Sequence, residues 1–60
     1  LTERQQRIVR MAKMNPTISR EEMARELGVT MKTVGRDIAG IRKVTKMNFV
    51  GSAKDGHWEL

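Results

Sequence analysis

The sequence predicts an α+β domain, three helices followed by a C-terminal two-stranded β-hairpin, and three observations carry that prediction. Hydroxyl residues suited to capping recur at Thr2, Ser19 and Thr30, each ahead of apolar residues at helical spacing. After the third such segment the pattern shifts to "KMNFVG" and "HWEL", short runs of strand formers separated by the turn cluster "SAKDG". The chain has 60 residues, enough for one domain spanning 1–60. A chain of that size buries only about 60% of the surface its unfolded form exposes. The core is therefore expected to be thin.

Thr2 and Gln5 have capping-box spacing, in which a hydroxyl and a side chain three residues on satisfy orphan N–H groups reciprocally; they open a helix over about 3–14. Its stripe is Ile8, Val9 and Ala12. Met11 and Met14 lie away from that stripe and are expected to pack beneath Trp58, the alternative being a contact patch for another chain or domain. The helix stops before "NPT", because proline disfavours helical geometry in the residue preceding it. "TIS", residues 17–19, can add a third short strand. Ser19 and Glu22 repeat the capping box and start a helix over about 20–27, with Met23, Ala24 and Leu27 inward. Gly28 then suits the left-handed position after a helix end. Thr30 caps a third helix over about 31–43 without an acidic partner. In the last strand Trp58 and Leu60 fall on one side, His57 and Glu59 on the other. A two-stranded hairpin is unstable alone, so Trp58 is expected to dock it on the helices.

Twelve Lys and Arg against seven Asp and Glu leave a net charge of +5. That balance favours polyanionic partners. Acid gathers in residues 19–28, while residues 29–46 hold Lys32, Arg36, Arg42, Lys43 and Lys46 against Asp37 alone. At 100° per residue, Val34, Ile38 and Ile41 share about 60° of arc and form the inward stripe of the third helix. Lys32, Arg36, Ala39 and Lys43 lie opposite, flanked by Thr33, Gly35 and Gly40. Glycine inside a helix costs about 1 kcal/mol against alanine. Two of them on one helix gain a purpose if small residues let that helix approach another surface closely, and the major groove of DNA, about 12 Å wide, admits such a helix. The alternative is a tolerated defect or a helix–helix contact. Asp37 is expected to orient Arg36 or to pair with Arg25, a plain surface acid being the other reading.

The second helix meets the third across "GVT", and helix, short glycine-containing turn, helix is the helix-turn-helix arrangement. "ISREEMARELGVTMKTVGRDIAGI" resembles the bacterial winged helix-turn-helix domains related to DeoR-type repressors. "VGSAKDGHWEL" is similar to the end of a narrower group, the C-terminal winged domains of transcriptional regulators whose N-terminal part is AlbA-like or Schlafen-type. The resemblance covers nearly the whole chain. It implies double-stranded DNA as partner, Thr30 as cap and phosphate contact, Met31 and Lys32 facing the groove, Thr33 on phosphate and Arg36 on a base or phosphate. The family favours serine where Thr30 stands, a polar residue where Gly35 stands and leucine where Ile41 stands. From the residues themselves, Gly35, Lys43 and Lys46 join this cationic surface. The N–H groups of Thr30 and Ser52 can meet phosphate, and Lys54 at the hairpin tip can reach phosphate or the minor groove.

Other chemistries find no support in the residues. "GSAKDGHW" and "GRDIAGIR" have G-x-x-x-x-G spacing without the Lys-Ser or Lys-Thr that a phosphate-binding loop requires. His57, the single histidine, has no second metal ligand nearby in sequence and reads as an exposed strand residue. No enzyme, metal or cofactor is expected. There is no cysteine, and "LTERQQR" is not a signal peptide, so a cytoplasmic setting is the default expectation. A start on Leu1 suggests a fragment of a longer chain. The competing reading is an interaction or structural module docking on its parent chain or a partner through Met11 and Met14.

Overall fold

The computed structural model describes residues 1–52 and 55–60. In chain order it contains α1 (Glu3–Met14), α2 (Arg20–Leu27), α3 (Met31–Arg42), β1 (Asn48–Val50) and β2 (His57–Glu59). The caps explain where the helices begin. Gln5 N–H donates to the Thr2 hydroxyl at 3.1 Å and Thr2 N–H donates to Gln5 Oε1 at 2.9 Å, which completes the box at α1. At α2 Glu22 N–H donates to Ser19 Oγ at 3.1 Å, but the Glu22 carboxylate faces the Ser19 hydroxyl rather than its backbone, so this box is half formed. At α3 Thr33 N–H donates to Thr30 Oγ1 at 3.1 Å. Lys43 caps the far end of α3, one residue earlier than the sequence predicts.

All three helices and the hairpin contribute to one core: Ile8 and Ala12 from α1, Met23 and Ala24 from α2, Val34, Ile38 and Ile41 from α3, with Ile18, Met47 and Trp58. Leu27 and Val9 pack against it half-buried. Trp58 is the hairpin's anchor. Its ring meets Phe49, its partner across the ladder, edge-on at 4.9 Å, and its indole N–H donates to the Ile18 carbonyl at 2.7 Å. β1 and β2 run antiparallel, with Asn48 opposite Glu59 and Val50 opposite His57.

Three expectations are corrected. The third strand at 17–19 does not form. Trp58 N–H donates to the Pro16 carbonyl at 2.7 Å, a single backbone rung, and the indole rather than a backbone N–H takes the Ile18 carbonyl. Met14 does not lie beneath Trp58: it is 82% exposed, and only Met11 packs on the core. The apolar patch proposed for docking thereby shrinks to one side chain. Leu60 does not share the inward side with Trp58 but lies past the end of β2, exposed. Met47, isolated in a polar segment, is fully buried although no periodicity marks it.

Tight geometry at the hairpin's neck demands glycine. A Cβ on Gly56, which is buried, would stand 2.4 Å from the Ser52 carbonyl oxygen and 2.2 Å from the Phe49 ring. No helix among the described residues is long and apolar enough to cross a membrane. Three helices followed by an antiparallel hairpin make this a winged helix-turn-helix fold of the α+β class.

Candidate nucleic-acid interface

The turn between α2 and α3 fixes the angle at which α3 is presented. Gly28 ends α2 at φ 68°, the left-handed region open to glycine, and its N–H donates back to the Ala24 and Arg25 carbonyls. Val29 N–H donates to Ala24 O at 3.0 Å. Two residues later α3 begins, its Val34, Ile38 and Ile41 buried against the other helices. That orientation leaves Met31, Lys32, Arg36, Ala39 and Lys43 exposed along the opposite side.

Lys32, Arg36, Lys43 and Lys46 are exposed, and among the described residues none is in an ion pair. Asp37, the single acid of α3, is turned inward instead. It is buried and held by Arg4 of α1 in a two-point fork, Nε to Oδ2 and Nη2 to Oδ1, the latter at 3.2 Å. This overturns the expectation that Asp37 orients Arg36, pairs with Arg25 or lies on the surface. Arg25 pairs with Glu21 on its own helix, at 3.6 Å. The hydrogen bond that Arg4 donates to Asp37, outweighing partial burial and assisted by the carboxylate's charge, raises the Arg4 guanidinium above the ordinary arginine value. A raised folded-state value means the contribution is complete below the unfolded value and lost only as pH rises through the folded one. Arg4 therefore stays charged throughout the neutral range. The consequence for α3 is an outer face with no carboxylate.

The two helical glycines have separate explanations. A Cβ on Gly35 would meet nothing within 4 Å, so the ridge beside Arg36 is open. One on Gly40 would stand 2.6 Å from Gln5 Nε2, so Gly40 is where α1 crosses α3 closely. The helix–helix reading holds for Gly40.

Of the remaining sequence-derived positions, Thr30 is exposed and Thr33 half-buried, their hydroxyls 3.0 Å apart. Ser52 is exposed at the start of the hairpin loop, its Oγ accepting from Asp55 N–H at 3.1 Å. Lys54 lies outside the described residues. Sequence reasoning missed Arg20, which lies within the segment 19–28 read as acidic. The Arg20 guanidinium sits 5.1 Å from the Trp58 ring centroid and 6.0 Å from that of Phe49. Local spacing gives no signal for a contact between the start of α2 and the end of the chain.

A family model for an HTH domain matches residues 4–57, nearly the full length. The chain belongs to this helix-turn-helix domain family. The matched span takes in α1 from its second residue, the whole α2–turn–α3 unit of the HTH domain and the first strand of the hairpin, and ends on the first residue of β2. It reaches the HTH domain and not the narrower DeoR-type or AlbA- and Schlafen-type settings. No curated protein and no solved structure matches the chain. For an HTH domain the second helix of the unit is the element that enters the groove; here that element is α3.

Proposed function

We propose that this domain binds double-stranded DNA with α3 in the major groove and the hairpin against the sugar-phosphate backbone, as the winged module of a bacterial transcriptional regulator. The observation that carries the reading is the outer side of α3. Lys32 and Arg36 stand exposed and unpaired among the described residues, Gly35 adds no side chain between them, and the helix's one carboxylate is withdrawn to Arg4. Met31, at the first turn, lies where an HTH domain brings residues nearest the bases.

Phosphates supply most of the affinity in this reading. Lys43 and Lys46 follow the backbone beyond the groove, and Lys54 and Ser52 meet it from the hairpin. Thr30 and Thr33 serve the near strand. If Thr33 donates to Thr30, the Thr30 proton remains available to a phosphate oxygen. With about three to five phosphates neutralised by lysine or arginine, the log–log salt slope is roughly −3 to −5.

The test is titration of the labelled domain with duplex DNA at low salt, followed by NMR. Amide shifts are expected across residues 30–43, with affinity falling at that slope as salt rises. Silence in 30–43, or binding indifferent to salt, overturns the reading; salt-insensitive binding to a protein partner supports the docking alternative instead.

A further inference from the structure

Resting on the DNA-binding reading, we infer that Arg20 is a phosphate-backbone contact of this domain and that the aromatic pair of the hairpin holds it in place for that role. Arg20 is the first residue of α2, exposed, and in no ion pair among the described residues although Glu21 adjoins it. Its guanidinium lies over Trp58 and Phe49 at 5.1 and 6.0 Å, within the range where a ring's electron-rich face attracts a cation. A flexible arginine is thereby restricted before any ligand arrives, and restricting a side chain in advance lowers the ordering cost of the contact it makes.

The direction of that restriction matters as much as its strength. A groove of about 290 Å³ is lined by Ser19, Arg20, Glu21, Met31, Phe49 and Trp58, so Arg20 shares one concave surface with the first residue of α3. A duplex seated on Met31 and Lys32 brings one of its strands across the mouth of this groove. The guanidinium centre lies near both rings, and no hydrogen bond from its N–H donors to another described residue engages them, so they can serve a phosphate oxygen. Trp58 then acts as a positioning residue: buried in the core on one side, it orients Arg20 on the other. The hairpin contributes to binding through its base, whatever its tip does.

Arg20→Met tests this, because the thioether chain still covers Trp58 while the charge is gone. Duplex affinity is measured for the wild-type domain, Arg20→Met and Arg20→Lys across a range of salt, at temperatures where thermal melts show each fully folded. Loss of one phosphate contact makes the slope shallower by about 0.9 and weakens binding about five- to tenfold near 0.1 M salt, equally for unrelated duplex sequences. Arg20→Lys keeps the slope, since it keeps the charge, but binds more weakly than wild type because ammonium stacks poorly. A merely structural role for Arg20 moves the melting midpoint and leaves the slope alone. A wild-type slope in Arg20→Met, with wild-type binding intact, overturns this inference and spares the DNA-binding reading; absence of duplex binding by the wild type overturns both.

Discussion

The two sides of α3 are built by opposite rules. Inward, every position is committed: Val34, Ile38 and Ile41 are buried, Asp37 is forked by Arg4, and Gly40 lies where Gln5 of α1 crosses the helix. Outward, Lys32, Gly35, Arg36, Ala39 and Lys43 touch little, and what they share is charge or smallness. The difference teaches that a glycine's cost can be spent on two ends within one helix. Gly40 serves the domain's own packing, whereas Gly35 leaves room for something outside it.

The largest expected effect comes from the committed side. Ile41→Ala, at a fully buried site, is expected to destabilise the fold by roughly 2–5 kcal/mol, a large share of what so small a domain possesses. Chemical denaturation followed by circular dichroism measures it. On the open side, Arg36→Ala is expected to weaken duplex binding by about 1–3 kcal/mol if the contact is to a base edge, while stability changes by no more than about 0.5 kcal/mol. Isothermal titration and a thermal melt read the two quantities separately. A marked fall in melting midpoint for Arg36→Ala would mean that the two sides are not independent.

The Arg4–Asp37 fork sits on the boundary between them. Arg4→Met leaves the buried Asp37 carboxylate without its partner, and the melting midpoint is expected to drop, by less than in Ile41→Ala because half of the Arg4 side chain is solvated. Replacing both residues, Arg4→Met with Asp37→Leu, is expected to recover most of that loss, since the cost lies in the unpaired charge rather than in the missing bond. A double variant as unstable as the single would assign the fork a shape-specific role instead.

What the sequence discloses follows the same division. Thr2, Ser19, Thr30 and Gly28 mark helix ends through bonds to residues three or four positions away, so spacing alone reveals them. Trp58 was legible as the hairpin's anchor because a lone large aromatic beside a marginal hairpin has few other uses. The cationic ridge was legible because helical periodicity separates it from Val34, Ile38 and Ile41. The Arg4–Asp37 fork, the Gly40–Gln5 crossing and the Arg20–Trp58 stack were not, because each joins segments far apart in the chain and depends on helix crossing angles that no local pattern encodes. Met14 misled for a related reason: an apolar residue off the stripe has no period to say whether it turns toward the core.

The smallest expected effect is also the sharpest test of the comparison between the two glycines. Gly35→Ala places a methyl group where nothing lies within 4 Å, so the isolated domain is expected to gain up to about 1 kcal/mol from helix propensity. At Gly40 the same methyl must displace Gln5 Nε2, and Gln5 also holds the Thr2 cap, so the propensity gain is offset and the midpoint is expected to stay near that of the wild type. Binding should reverse the order: Gly40→Ala leaves duplex affinity unchanged, whereas Gly35→Ala lowers it by roughly 1 kcal/mol, about fivefold, because the methyl stands between the helix and the groove floor. A Gly35→Ala domain that is both more stable and equally tight on DNA would show that α3 never approaches the bases closely, and that its charge acts only on the phosphates at the groove's rim.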